Sequence, residues 1–194
     1  MNYRLVPLTL LVLAAVAGAG AAGPLAAGSQ PTPWALDFEA THLDNSQFSG
    51  AELAGKAVLL DFWGTWCAPC IHAFPKLSRL HEQFGDRLTV VGLAFYSGEV
   101  EDVAAAAAEH ALAYTVLAGD EATLEKFEIF AFPSYVLISA DGEVVFTLAG
   151  QVNDIYERVA AFLTTEATAD DEAITTNIAT ADKPTQAGEP ATAN

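Results

Sequence analysis

Cysteine is almost absent from this chain. Of 194 residues only two are cysteine, and both lie in Cys67-Ala68-Pro69-Cys70. No thiol is left for a structural disulfide elsewhere, so the redox compartment cannot be read from a cysteine count. A structural bridge and a metal pair compete with redox chemistry as readings of the motif. Zinc needs about four ligands, and there is no second pair. The nearest nitrogen donor, His72, points roughly 160° from Cys70 and roughly 140° from Cys67 at about 100° per helical residue. Basic residues are scarce as well: 8 Lys and Arg against 25 acids, a net charge of −17. Phosphate backbones demand a basic footprint, which excludes nucleic acid as a partner. Binding to anionic lipid by charge is excluded on the same ground, and the acidity reads as a solubility device rather than a docking face. There is no internal repeat.

Long apolar runs are also few. Leu5 to Ala17 is apolar and uncharged after a short n-region carrying Arg4. It falls short of the roughly 20 residues that a membrane span needs. Ala17-Gly18-Ala19 and Ala19-Gly20-Ala21 are small-x-small cleavage candidates, so residues 1–22 read as a secretory signal peptide. The weakly apolar continuation to Ala27 leaves an uncleaved anchor as the alternative. No cysteine lies near the junction, which argues against a lipoprotein. Residues 23–33 read as a linker. Residues 34–165 carry the periodic patterns of one folded domain, and the 52% hydrophobic content suffices for its core. Residues 166–194 are rich in Thr, Ala and Asp, with six acids and one lysine, and read as a disordered acidic tail.

Within the domain, Ala35 to Glu39 is a short strand candidate. Asp44-Asn45-Ser46 is a turn signal, and Gln47 to Ser49 returns as a second strand before one helical turn over Gly50 to Leu53. Val58 to Trp63 is an apolar run of the kind found in buried strands, broken by Gly64 and Thr65. Ile71, Phe74, Leu77, Leu80 and Phe84 then keep a helical period from Ala68 to Phe84. Arg87 to Tyr96 reads as a buried parallel strand and the alanine-rich stretch from Glu99 to Ala111 as a helix. A short strand at Tyr114 to Leu117 and a short helix at Glu121 to Glu128 follow. Ser134 to Ile138 and Glu143 to Thr147 flank Asp141-Gly142, a hairpin signal, and Asp154 to Leu163 closes the domain as a helix. The order is a hairpin, then βαβαβα, then ββα.

The dithiol thus falls where a parallel strand ends and a helix begins. That is where open α/β sheets place their sites. Free backbone N–H groups and the helix dipole stabilise negative charge at this point, so a thiol there gives up its proton more readily than a free one. Trp66-Cys67-Ala68-Pro69-Cys70 behind Leu60-Asp61-Phe62-Trp63 resembles the active site of the thioredoxin superfamily. More narrowly it resembles the TlpA/ResA-like thiol-disulfide oxidoreductases of the bacterial cell envelope. Pro75 matches the family's helix-kinking proline, and Phe132-Pro133-Ser134 its cis-proline segment. The resemblance covers roughly Trp34 to Thr165, and the hairpin before the dithiol strand is similar to the N-terminal extension of the TlpA-like group.

This resemblance implies a thioredoxin fold, a central mixed sheet flanked by helices, with the N-terminal β-hairpin added. It implies a redox-active disulfide, Cys67–Cys70, and no other cofactor or metal. Cys67 is then the nucleophile, and Cys70, one turn later and more buried, resolves the mixed disulfide. Pro69 fits the first helical turn without losing a hydrogen bond. Asp61 matches thioredoxin's buried acid, where many TlpA-like proteins carry asparagine. Burial would raise its pKa and suit it to relay a proton to Cys70, while an idle, solvated strand-end aspartate is the competing reading. Gly92 stands where thioredoxin's lysine partner would be. Trp66, Ala68, Pro69, Phe132 and Pro133 form the expected substrate-binding surface, the backbone at Phe132 pairing with an extended client. Phe132 either narrows access to Cys67 or packs. Trp63 is expected in the core. Glu99 and Glu101 are placed near the site or at a solvated helix start, and His72, His81 and His110 at the surface.

The function implied is reduction of protein disulfides outside the cytoplasm. Implied partners are apocytochrome c haem-site cysteines and a membrane electron donor of the DsbD/CcdA kind, with the protein itself a monomer. Three rivals remain: a disulfide-forming oxidant of the same fold, a peroxiredoxin-type peroxidase, and a non-enzymatic client-binding module using the Phe132/Trp66 surface. The peroxidase would need a Thr-x-x-Cys nucleophile, and Gly64 occupies the threonine position.

Overall fold

A computed structural model describes residues 34–166. The export segment and linker expected over residues 1–33 lie outside the described residues, as does the expected tail beyond residue 166. The elements are β1 (Glu39–His42), β2 (Gln47–Ser49), β3 (Ala57–Trp63), α1 (Ala68–Phe84), β4 (Leu88–Ala94), α2 (Val100–Glu109), β5 (Thr115–Gly119), α3 (Glu121–Lys126), β6 (Ser134–Ile138) and β7 (Val144–Ala149). A last helix, α4, runs over residues 155–166.

The strands form one seven-stranded sheet in the order β2-β1-β5-β4-β3-β6-β7. β3 pairs in parallel with β4, and β4 with β5, while β6 and β7 add antiparallel strands on one side. The β1–β2 hairpin extends the opposite side through antiparallel pairing of β1 with β5. This is the thioredoxin fold with the N-terminal extension.

All seven residues of β3 are buried, because β3 lies centrally with a layer on each face. Alternation of side chains assigns them. Ala57, Leu59 and Trp63 face a core shared with α1, Val103 of α2, and Ile155, Val159 and Leu163 of α4. Val58, Leu60 and Phe62 face the other core, with Leu36, Phe38, Phe48, Leu124 and Phe127.

Helix α1 buries Cys70, Phe74, Leu77 and Leu80, a spacing of four, three and three that keeps one stripe on the sheet. Phe74 meets Trp63 edge-on at 5.1 Å between ring centroids. Burying each of Phe74, Leu77 and Leu80 contributes roughly 1.5–3 kcal/mol. Lys76 Nζ donates to the Asn153 carbonyl at 2.6 Å and Arg87 to the Leu163 carbonyl at 2.9 Å, tying the α4 segment to the rest of the domain.

One sequence expectation fails. Ala35 to Glu39 is not a strand: Trp34–Leu36 forms a 3-10 turn, and the strand starts at Glu39. Ala35 and Leu36 are adjacent and both 1% exposed. A strand would send them to opposite faces, whereas a turn, closed by Asp37 N–H donating to the Trp34 carbonyl, buries both in one core. The remaining boundaries move by at most two residues, except that α4 runs three residues past Leu163. β4 stops before Tyr96, which has φ +52°, and α2 stops before Ala111, at φ +49°. At the far hairpin, Gly142 takes φ +83° and donates to the Ser139 carbonyl, as the Asp-Gly signal requires.

Candidate active site

The site begins where β3 ends. Cys67 is the N-cap of α1, and its Sγ accepts the Cys70 N–H at 3.3 Å. Cys70 N–H also meets the Cys67 carbonyl at 3.0 Å, closing the first turn. Pro69 sits in that turn, where its missing N–H leaves nothing unsatisfied. The two sulfurs are joined in a disulfide. Cys70 is fully buried, and Cys67 is 3% exposed. Both cysteines are more enclosed in the disulfide than a freely accessible nucleophile would be.

Aromatic side chains gather at the carboxyl ends of β3 and β4 and in the segment before β6. Trp66, 61% exposed, donates its Nε1–H to the Tyr96 carbonyl at 3.0 Å. Tyr96 is in the left-handed region, a conformation that is uncommon for a bulky residue. Phe132 stacks on Phe95 at 5.9 Å and meets Trp66 and Tyr96 edge-on at 5.8 and 6.3 Å. It is half-buried, so it both packs and forms one wall of the rim. Beneath the rim, Thr65 N–H donates to Ser97 Oγ at 2.9 Å, and Ser97 Oγ–H donates to the Phe95 carbonyl at 2.9 Å. This fixes the loop that presents the dithiol.

The Phe132–Pro133 peptide bond is cis, as the family segment implies. Pro133 is buried, and its carbonyl accepts Gly150 N–H at 2.7 Å. Strand β6 pairs with β3 only from Ser134 onward, which leaves Phe132 just beyond the paired strand. Ala68 and Pro69 are exposed.

Asp61 is 1% exposed, so the solvated strand-end reading is overturned. Alternation along β3 puts it on the same face as Leu59 and Trp63, the face against which Cys67 and Cys70 pack. Its register partners are Gly92 on β4 and Tyr135 on β6. Desolvation is the main influence on its carboxyl, pushing the pKa up to about 8. Tyr114 opposes this by drawing the pKa down. Neither Asp61 oxygen forms a hydrogen bond of normal geometry, however, so the Tyr114 influence is weaker than a closed bond would exert. Gly92 does occupy the place opposite Asp61 where the resemblance to thioredoxin would put a lysine. A Cβ there would come within 3.1 Å of Trp63 Nε1 and of the Tyr114 ring, so these two side chains fill that space.

Other expectations resolve simply. Glu99 is the N-cap of α2, its N–H accepted by Asp102 at 2.9 Å. His72 is exposed. His81 and His110 are half-buried rather than at the surface, His110 packing against the Phe74 ring at 5.7 Å. Among the described residues no three His, Cys, Asp or Glu side chains gather in a way that would hold a metal.

Sequence reading missed Phe95, Tyr96 and Ser97 as parts of the site, and Tyr114 and Tyr135 as neighbours of Asp61. A signal for the first three existed. They follow a parallel strand adjacent to the dithiol strand, at the carboxyl end where such sheets build their sites. Tyr114 and Tyr135 carried no local signal, because only strand register brings them to Asp61.

Known proteins are similar to this chain in sequence and in fold. The AhpC/TSA family model matches residues 32–147. Thioredoxin-like protein YneN of Bacillus subtilis is 29% identical over 119 residues, covering 60% of this chain and 70% of the relative. Thiol-disulfide oxidoreductase ResA of the same organism is 28% identical over 109 residues, and the match spans 54% of this chain and only 59% of ResA. Among solved structures, MTB DsbF aligns with a TM-score of 0.60 at 27% identity, covering 67% of this chain and 98% of that one. A secreted Mycobacterium tuberculosis disulfide oxidoreductase homologous to E. coli DsbE aligns with a TM-score of 0.57 at 29% identity, covering 66% and 97%. With a disulfide capping the helix that follows its central strand, the chain belongs to the AhpC/TSA family of the thioredoxin superfamily and is a thiol-disulfide oxidoreductase of the TlpA/ResA/DsbE-like kind.

Proposed function

We propose that this oxidoreductase works as a reductase of protein disulfides in the cell envelope. The observation that carries this reading is the Cys67–Cys70 disulfide at the N-terminus of α1. In the reduced protein, the Cys67 thiolate, stabilised by the helix end, attacks one sulfur of a client disulfide. A Cys67–client bond forms, and the other client sulfur leaves as a thiolate. Cys70 then gives its proton to Asp61 and attacks Cys67 Sγ. The Cys67–Cys70 bond forms, the second client thiolate is released, and the client has gained the two electrons the dithiol lost. Trp66, Ala68, Pro69 and Phe132 present the surface on which an extended client segment lies, its backbone pairing beside Phe132, while Pro133, expected on that surface, is buried beneath it and acts through the backbone it fixes.

We further propose apocytochrome c, held with its haem-site cysteines reduced, as the client class, and a membrane dithiol donor of the DsbD/CcdA type as the source of electrons. A signal segment over residues 1–22 supports a place outside the cytoplasm, and one structural relative is described as secreted. Among the described residues no helix is long and apolar enough to cross a membrane. Peroxidase chemistry fits poorly. A Cβ on Gly64 would come within 2.9 Å of the Trp66 ring and 3.1 Å of the Phe95 carbonyl, so a threonine there would have to displace the Trp66 ring.

Titration of the dithiol in graded thiol buffers, followed by tryptophan fluorescence, tests the direction of flow. A potential near that of thioredoxin, about −270 mV, is expected of a reductase. A value near that of DsbA, about −120 mV, would overturn the reading in favour of an oxidant.

A further inference from the structure

Five buried polar atoms gather on one face of the sheet: both carboxyl oxygens of Asp61, Nε1 of Trp63, and the hydroxyls of Tyr114 and Tyr135. None forms a hydrogen bond within the protein. Register explains the gathering. Asp61 on β3 lies between Gly92 on β4 and Tyr135 on β6. Tyr114 immediately precedes β5, the strand beyond β4, and its ring crosses toward β3 through the space over Gly92. Tyr114 is 6% exposed and Tyr135 fully buried. Buried polar atoms are normally paired, so a carboxyl and a hydroxyl facing one another with no other partner form a pre-set couple.

Asp61 is surrounded by few titratable groups. β4 offers only Gly92, β6 offers Tyr135, the segment before β5 offers Tyr114, and α1 offers the Cys67–Cys70 pair. No cation is among the influences on its carboxyl. A hydroxyl is therefore the strongest donor within reach when Asp61 becomes charged.

We propose that Tyr114 is the positioning residue for Asp61, its hydroxyl donating to the carboxylate and so holding the ionised form that accepts the Cys70 proton. This rests on the reading of Asp61 as the proton acceptor in the resolving step. Tyr114 is preferred to Tyr135 because its ring fills the space over Gly92, the register partner of Asp61; its contact also favours the ionised carboxyl. The same contact pushes the Tyr114 hydroxyl pKa upward, with burial the larger cause. The lack of a side chain at Gly92 admits the Tyr114 ring, so this glycine is part of the device.

The test titrates Asp61 directly, by carboxyl-carbon NMR of the oxidised protein labelled at aspartate, and follows client reduction by the reduced protein from pH 6 to 10. In the wild type the Asp61 midpoint is expected near 8. Tyr114→Phe should move it upward and slow the resolving step about tenfold at pH 7, since each unit of pKa above the working pH cuts the ionised fraction about tenfold. At pH 10 the rate should return to that of the wild type, which a merely structural loss would not allow. Gly92→Ala, which displaces the ring without removing the hydroxyl, should shift the midpoint in the same direction. An unmoved midpoint in Tyr114→Phe, or an equal shift in Tyr135→Phe, would overturn the assignment. If the midpoint moves as expected while Asp61→Asn keeps full turnover, the positioning stands and it is the relay reading that fails.

Discussion

The Trp66 indole donates to the Tyr96 carbonyl at 3.0 Å, linking the residue before the first cysteine to the end of the neighbouring parallel strand. The bond spans two loops at the carboxyl edge of the sheet. It holds one exposed ring beside another, with Phe132 packed against both. The mouth of the dithiol is therefore built from three chain segments, and each can be tested separately.

The cysteines should divide their labour. Cys67→Ser is expected to abolish insulin reduction, because Cys70 is fully buried and cannot reach a client. Cys70→Ser should still attack but not resolve, so clients accumulate as mixed disulfides visible on non-reducing gels. Equal activity in the two variants would reverse the assignment.

Phe132→Ala should open the rim. Small disulfides are expected to react faster with Cys67, while KM for a protein disulfide rises because the wall that orients an extended segment is gone. Steady-state kinetics with a small and a protein disulfide measure the two effects. A parallel fall with both substrates would assign Phe132 to packing alone.

Gly64→Thr is expected to displace Trp66, since the added Cβ meets its ring at 2.9 Å. Overpacking of this kind costs about 1–3 kcal/mol. Tryptophan fluorescence and a denaturant melt report it. Gain of hydrogen-peroxide turnover in this variant would favour the peroxidase reading.

Asp61 makes stability depend on pH. Its carboxyl titrates near 3.8 when free and near 8 when folded. A folded pKa above the unfolded one means that this group's contribution is fully present below pH 3.8. It is lost as pH rises toward 8, because the unfolded chain ionises first. The slope is about 1.4 kcal/mol per pH unit at most. Asp61→Asn should remove that slope, and by losing the proton acceptor should slow turnover roughly tenfold or more. Denaturant melts and stopped-flow reduction from pH 4 to 9 measure both. A variant with the wild-type slope and wild-type turnover would leave Asp61 no part in either.

Leu77→Ala should cost about 2–5 kcal/mol, since Leu77 is fully buried between α1 and the sheet. A calorimetric melt of the oxidised protein measures it, and a loss under 1 kcal/mol would mean that the helix is held mainly elsewhere.

What the sequence determined was local. An apolar run on a buried strand, a helical period in α1, an Asp-Gly turn and a dithiol between strand and helix each follow from the order of neighbouring residues, and each is found where their chemistry puts it. The Ala35 to Glu39 stretch misled because β propensity says nothing of which face each residue must reach. Two adjacent side chains bound for one core need a turn. Asp61 was legible as an acid on an apolar strand, but its surroundings were not. Tyr114 and Tyr135 lie 53 and 74 positions away along the chain, and Gly92 lies 31 away. Parallel pairing of β3 with β4 and antiparallel pairing with β6 decide that they meet. The same holds for the rim: Trp66 and Tyr96 follow parallel strands whose crossovers return to one edge, and Phe132 reaches that edge because β6, which it precedes, runs antiparallel to β3. Backbone hydrogen-bond register is a property of the closed sheet, so the environment that raises Asp61 and encloses Cys67 exists only once the whole sheet has formed.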